Sequence, residues 1–574
     1  MPRVLREMKS LIGKMICIEH PLHEYLRLSD PAEHCRSSWR NGRRNHEKTK
    51  TLVGFYKFFV TEKIMYPTLG TIFEQTVQKY PNQEALVDLA KQQRWTYAEL
   101  NQVVNQLANA LTHAGVRKGD VVSTVLYNRS ELVTTLFACA KIGAIFNPIN
   151  YRLKSKEIAY IVRDCKPRVL IYEQAVEKEI RPVYYQFPMT LFWNVDYTGQ
   201  FGGQNFHGFV SQAPSFPPFV DVKEDDIYAI MYTSGTTGKP KGVMHRHRDM
   251  IEQSYILSHA LKLTYQDRGL CVAPLYHCAE LHCMLIPRIH VGATNVLLPS
   301  FDPPQVLQAI QEEQISVLFG APTMWNKLLP QIEKSVDKPI SSLRIGLYGA
   351  APMPSSLIRQ CKEQLGIELV QAYGMTEMGP AITLLFDHEQ LIKLGSAGKA
   401  CLNHEIRIVT PGGSPLDQLK VGEIGEIIVR GPCMMAGYFN KQRASEKVIR
   451  GGWYYTGDLG YLDEEGYLFV ADRTDDLIIS GGENIYPREV EDVLYEHPAV
   501  LDVAVVGKKD DYWGQKVVAY IVPKHPVNSE ELDHHCKASQ RLADYKRPKE
   551  YIFVKELPRN ASGKIQKFLL NNAI

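Results

Sequence analysis

The chain has 574 residues, 45% hydrophobic and 22% charged, the ordinary balance of a globular protein with room for two or more domains. The net charge is +3, but residues 1–65 hold 13 Lys/Arg against 7 Asp/Glu, so the remainder is mildly acidic and argues against nucleic-acid binding. No apolar run reaches the ~18 residues that cross a bilayer, and eleven cysteines without a CxxC pair fit a reduced, cytoplasmic protein better than a disulfide scaffold.

Residues 1–65 form a basic, weakly periodic extension that lacks the apolar core of a signal peptide. It is expected to be poorly ordered, with organised patterning from "YPTLGTIFEQ" onward. Thr96 and Glu99 then make a capping box ahead of a helix whose Leu100, Val103, Val104, Leu107 and Leu111 share one face. "DVVSTVLYN" reads as a buried strand, and Leu132 to Phe146 as a buried helix despite Lys141. Farther on, "RVLIY", "IYAIMYT", "SVLFGAP", "SLRIGLYGAA" and "IELVQAYG" are strand-like. Helical stretches such as "PPQVLQAIQEEQ" separate several of them, the alternation that gives parallel α/β sheets.

After about residue 400 the texture changes to short strands with Gly and Pro turns, as in a small antiparallel barrel. Beyond the "DRTDDL" segment a separate small α+β unit is expected to the end. The predicted organisation is thus a large α/β unit over 66–471 that includes a barrel part at 400–471. A hinge follows at 472–475, then a small mobile domain at 476–574.

"YTSGTTGKPKGV" (232–243) is the first stretch that carries chemistry. It is not Walker A, because Gly235 and Gly238 are too close and Pro240 blocks a helix after Lys239. Main-chain N–H groups around the two glycines still suit an anion. Thr233, Ser234, Thr236 and Thr237 add hydroxyls, and Lys239 or Lys241 a positive charge. The alternative for this stretch alone is a plain surface turn. "HCAELHC" (277–283) has ligand-type residues, but with no second Cys/His pair at finger spacing it is read as core or pocket lining rather than a zinc site.

Five further motifs follow in order: "LYGAAPMP", "QAYGMTEMGP", "YYTGDLGYLDEEGY", "DRTDDLIISGGENIYPREVE" and "PRNASGKIQK". With the phosphate loop they resemble the adenylate-forming superfamily of acyl-CoA synthetases, luciferases and peptide-synthetase adenylation domains, over the chain from about Tyr66 to its end. The resemblance implies ATP, Mg²⁺ and coenzyme A as ligands and a small-molecule carboxylic acid as substrate. The acid is joined to AMP with release of pyrophosphate, then passed to a thiol.

Residue by residue, the resemblance implies that Thr233 to Lys241 (Ser234, Gly235, Thr236, Thr237 and Gly238 between them) grip the outer phosphates. Gly349, Ala350 and Ala351 would line the adenine pocket with Gln371, Ala372, Gly374 and Met375, and Tyr373 would stack on the base. Thr376 would contact the α-phosphate, and Glu377 would hold Mg²⁺. Asp458 and Arg473 would bind the ribose. Lys564 matches the catalytic lysine. Two like charges ~4 Å apart repel by about 4 kcal/mol at an effective dielectric near 20, and a lysine between carboxylate and α-phosphate would cancel that. Asp475 matches the hinge that turns the small domain between the two half-reactions. Gly481 and Gly482 would then clear a path for the pantetheine arm, and Arg152, Tyr545 and Arg547 would meet coenzyme A. His277 matches the gate between acid and nucleotide.

Phe319 and Trp325 suggest an apolar tunnel, which favours a medium- or long-chain fatty acid, with an aryl acid second. A carrier-protein loader acting in trans is a further alternative, as is a non-catalytic nucleotide binder. The latter should have lost Glu377, Asp458 and Lys564. Peripheral membrane contact and a homodimer stay open.

Overall fold

The computed structural model describes residues 67–197, 202–233, 239–333, 340–351, 353–473, 476–480, 483–510, 512–539, 541–559 and 565–571, all in the unit Tyr66–Ile574. The basic extension lies outside them. So do Ser234 to Gly238, Asp475, Gly481, Gly482 and Lys564, and of Arg473 only the main chain is described.

The strand-like runs assemble into two large sheets. In the eight-stranded sheet, Ile145–Pro148, Val121–Val125, Val169–Tyr172 and Leu191–Asn194 run parallel, and the hairpin Ile227–Thr233/Lys241–Arg246 closes one side. In the nine-stranded sheet, Glu84–Asp88, Thr294–Leu297, Arg268–Cys271, Val317–Phe319, Ile345–Gly349 and Glu368–Gly374 are parallel, with antiparallel strands at both edges. Parallel strands need crossovers, and helices supply them on the sheet faces.

The Thr96–Glu99 capping box is present in both directions and starts the helix Tyr97–His113, which buries Leu100, Val104, Leu107 and Leu111. The helix expected over Leu132 to Phe146 is shorter, Ser130–Ile142, and buried along its whole length. Gly143 takes φ 68°, a left-handed cap that glycine adopts without a Cβ clash, and Ile145 and Phe146 turn into a strand. Lys141 is tolerated inside because its Nζ meets Glu74 at 2.9 Å and the amide oxygens of Asn101 and Asn105 at 2.7 Å each.

Residues 405–473 make a five-stranded antiparallel sheet in the place expected for the small barrel. The C-terminal segment has its own five-stranded sheet and its own core, built on Val490, Val493, Leu494, Val505, Val517 and Ile521. In it the long hairpin Val500–Asp510/Gly514–Pro523 carries the parallel strand Glu550–Phe553.

Candidate active site

The phosphate loop's flanks are the last register pair of a hairpin, Thr233 opposite Lys241. Lys241 holds its Nζ over the Tyr438 ring, 4.6 Å from the centroid. Tyr438 arrives because Gly437–Tyr438 pairs antiparallel with Val243 and Met244. Its hydroxyl donates to Glu377 Oε1 at 2.9 Å, and the Met435 N–H donates to the Glu377 carbonyl at 2.9 Å. The carboxylate proposed for a metal is therefore oriented by a neighbouring sheet. Burial, with Glu377 beside it, pushes the Tyr438 hydroxyl's pKa above its ordinary value, so it stays a donor.

Gly349 and the strand Glu368–Gly374 come side by side, with Gly349 paired to Ala372. A Cβ on Gly349 would lie 2.6 Å from the Ala372 carbonyl oxygen, and one on Gly374 1.6 Å from that of Pro380. Only glycine lets these main chains approach so closely. Ala350, at φ 66°, is held in the left-handed region that costs a non-glycine residue free energy. Tyr373 donates its hydroxyl to Asp458 Oδ2 at 2.7 Å. Asp458 is buried in the strand Trp453–Leu462, directly opposite Arg473 in the antiparallel ladder. The two residues expected at the ribose are thus cross-strand partners.

Thr376 Oγ1 lies 3.2 Å from Cys278 Sγ. His277 caps the short helix that follows it. Its Nδ1 accepts from the Ala279 N–H at 3.2 Å, which leaves the proton of the neutral ring on Nε2. Burial lowers the His277 pKa to about 4, so the ring is neutral near pH 7. No group of three or more His, Cys, Asp or Glu side chains gathers to hold a metal among the described residues, at 277–283 or elsewhere.

Trp325 is packed as a core residue. It is fully buried in a core cluster, its indole N–H donates to the Gly320 carbonyl at 3.0 Å, and its ring lies against Gly346. Phe319 is buried with Cys283, Met284 and Leu347. Arg152 sits over the Tyr151 ring, which stacks on Tyr127 and meets Tyr276 edge-on. Arg547 is engaged by Asp533 and, at 2.8 Å, by Asp544, while Tyr545 is exposed. Beyond the bridge Arg559–Ile565, Lys567 pairs with Glu491 at 2.9 Å. Tyr438 had no mark in the sequence as a site residue, because strand pairing brings it to Glu377; Cys278 stood in the stretch read as core or pocket lining, and tertiary packing brings it to Thr376.

The residues present fit a nucleotide with a divalent cation. Close main-chain walls at Gly349 and Gly374 leave room for a flat base, the buried Asp458 carboxylate can accept from hydroxyls, and the oriented Glu377 carboxylate is an oxygen ligand suited to a hard cation.

The described residues contain no helix long and apolar enough to cross a membrane. The model of the AMP-binding enzyme family matches residues 73–439, and that of the AMP-binding enzyme C-terminal domain matches 489–564. The chain is 37% identical to a feruloyl-CoA synthase of Amycolatopsis sp, over 82% of this chain and 92% of the relative. It is 34% identical to the long-chain-fatty-acid–CoA ligase FadD13 of Mycobacterium tuberculosis, over 88% and 97%. Among solved structures, the o-succinylbenzoate CoA synthetase of Bacillus subtilis is similar in its complex with the acyl-adenylate intermediate (TM-score 0.77, 35% identity, 88% of this chain and 98% of that one). It has also been solved with ATP and a magnesium ion (TM-score 0.76, 36% identity, 87% and 98%). The chain therefore belongs to the AMP-binding enzyme family, and it is an acid–thiol ligase of the AMP-forming acyl-CoA synthetase type.

Proposed function

We propose that the chain joins a carboxylic acid to coenzyme A in two steps at one site. A carboxylate oxygen bonds to the α-phosphorus of ATP as the bond to the bridging oxygen breaks, releasing pyrophosphate. The coenzyme A thiolate then attacks the acyl carbon, AMP leaves with the electron pair of the broken bond, and the thiol proton passes to solvent. The observation that carries the reading is the meeting of Tyr373, Asp458, Thr376 and Glu377 around glycine-walled main chain.

In this reading Tyr373 packs on adenine beside Gly349, Ala350 and Ala351, and Asp458 with Arg473 takes the ribose hydroxyls. Thr376 donates to the α-phosphate. Glu377 would hold Mg²⁺, which neutralises phosphate charge when bound. Thr233 to Lys241 hold the leaving phosphates. Lys564 offsets the repulsion between carboxylate and α-phosphate and stabilises charge in the transition state. The segment after the hinge at Asp475 turns to exchange Lys564 for Gly481 and Gly482. Arg152, with Tyr545 and Arg547, meets coenzyme A. The domain limits are 66–471, 472–475 and 476–574.

For the acid, we read a compact aryl acid. The fatty-acid expectation leaned on Phe319 and Trp325 as tunnel lining, and both side chains are packed in core clusters, the Trp325 indole N–H taken by the Gly320 carbonyl. The feruloyl and o-succinylbenzoyl relatives act on ring acids by their names. A medium- or long-chain fatty acid is the second reading, supported by the mycobacterial relative. The test is a panel of aryl and chain acids scored for acid-dependent pyrophosphate release, with and without coenzyme A. Thioester formation from ring acids is the expected result. Thioester from chain acids alone would move the assignment to the second reading, and release unaffected by any acid would overturn both.

A further inference from the structure

The hairpin end that carries Thr233 and Lys241 is fastened from outside by a helix that the reaction above does not use. Helix Ser155–Cys165 holds Tyr160 and Asp164 four residues apart, so they share one face. The Tyr232 hydroxyl, one residue before Thr233, donates to Asp164 Oδ2 at 2.7 Å. The Tyr160 hydroxyl donates at 3.2 Å to the carbonyl of Pro240, one residue before Lys241. Both arms of the hairpin are thus held by a single helical turn. The strand partner of Tyr232 is Gly242, where a Cβ would lie 3.1 Å from the phenol ring, so glycine there lets the ring lie across the hairpin. Burial, with the Cys165 thiol and the Asp164 carboxylate beside it, pushes the Tyr232 pKa up, so the hydroxyl stays a donor.

The other oxygen of Asp164 faces the segment that brings in Tyr438. Lys441 Nζ lies 3.3 Å from Asp164 Oδ1, and the Asn440 side-chain amide donates to the Asp164 carbonyl at 3.3 Å. Asn440 turns the chain in this direction at φ 54°, a left-handed conformation that asparagine tolerates better than most residues. Two residues earlier, Tyr438 lies under the Lys241 ammonium and donates to Glu377. The contacts close a circuit. It runs from Asp164 to Tyr232, across the register pair Thr233–Lys241, over Tyr438, and back through Asn440 and Lys441.

We propose that Asp164 is a positioning residue for the outer phosphates of the nucleotide: by closing this circuit it sets where Thr233 and Lys241 stand relative to Glu377. The proposal rests on the reading above, in which those three residues serve the phosphates and their cation. Asp164 acts through Tyr232 and Lys441 rather than on the nucleotide itself. Phosphoryl chemistry draws its acceleration from positioned charge, so a group that fixes the holders of the phosphates matters without touching them. The nucleoside contacts Tyr373 and Asp458 lie outside the circuit and are tied to each other instead. AMP, which lacks the outer phosphates, is therefore indifferent to Asp164, and ATP is not.

The test is titration calorimetry on the purified full chain without acid, with ATP and Mg²⁺ in one series and AMP in the other. Asp164→Ala should weaken ATP by about tenfold, the scale of one lost hydrogen bond to a charged group, and leave AMP at its wild-type Kd. Asp164→Asn keeps an oxygen acceptor for the Tyr232 hydroxyl and should recover part of the loss. A parallel weakening of ATP and AMP with a lower Tm would mark a purely structural role and overturn the proposal, as would an unchanged Kd for ATP. If Asp164→Ala is insoluble, Tyr232→Phe, which removes one hydroxyl and keeps the ring, must still shift the ATP-to-AMP ratio in the same direction. Lys241→Ala separates this failure from failure of the underlying reading. A ratio that stays fixed in Lys241→Ala takes the lysine away from the phosphates, and the proposal falls with it. A ratio that moves in Lys241→Ala but in neither Asp164 variant nor Tyr232→Phe keeps the phosphate grip and overturns the role of Asp164 alone.

Discussion

Tyr373 and Asp458 are joined by a 2.7 Å hydrogen bond from the phenol to the carboxylate, and this bond ties the nine-stranded sheet to the five-stranded antiparallel one. Tyr373 is the last residue but one in a strand of the first, and Asp458 is central in a strand of the second. In the proposed reading these are the adenine and ribose contacts, so one bond sets the distance between the two halves of the nucleoside pocket.

Tyr373→Phe should therefore raise the KM for ATP more than it lowers kcat. A hydrogen bond to a charged group contributes about 1.5–3 kcal/mol, and retained ring packing keeps the effect near the low end, about tenfold. Steady-state kinetics with ATP varied would check this. An unchanged KM would remove the bond from nucleotide binding.

Lys564→Ala should abolish adenylate formation while leaving thioester formation from pre-made acyl-AMP largely intact. An electrostatic group of this kind contributes about 100-fold or more. The two half-reactions assayed separately would decide it, and equal loss of both would take the lysine out of the first step.

Asp475→Pro should restrict φ at the proposed hinge and uncouple the half-reactions, so that one survives and the overall rate collapses. Wild-type kinetics for both steps would refute a hinge at this residue.

Stability should fall in mild acid. Burial lowers His245 to about 3 and His247 to about 4, from 6.5. Below pH 6.5 the unfolded chain takes up protons that the fold refuses. Stability is therefore fully present above about 6.5 and is lost progressively as pH falls towards 4. Each such histidine adds up to about 1.4 kcal/mol per pH unit in that window. Urea midpoints between pH 7 and 4.5 should shift accordingly. His247→Gln should flatten the slope by one histidine's share, and an identical slope would contradict the assignment.

Much of this was legible in the residues. The T-x-x-E spacing at Thr96 gives the capping box because it is a local geometry, and alternating strands and helices give the two sheets. Contacts between distant residues left no local signal. Tyr438 meets Glu377 across 61 positions and Cys278 meets Thr376 across 98, each brought there by pairing that no spacing encodes. Trp325 misled for a related reason: an aromatic near a motif reads equally as pocket or as core, and the glycines at 320 and 346 that admit it into the core act only in three dimensions.

The central claim is that the acid's own oxygen forms the bond to the α-phosphorus of ATP. The direct measurement is to supply an accepted acid with both carboxylate oxygens labelled as ¹⁸O, run the reaction to completion with coenzyme A, and weigh the AMP. The account requires one labelled oxygen in each AMP and none in the pyrophosphate. Unlabelled AMP, or ADP as the product, would contradict it.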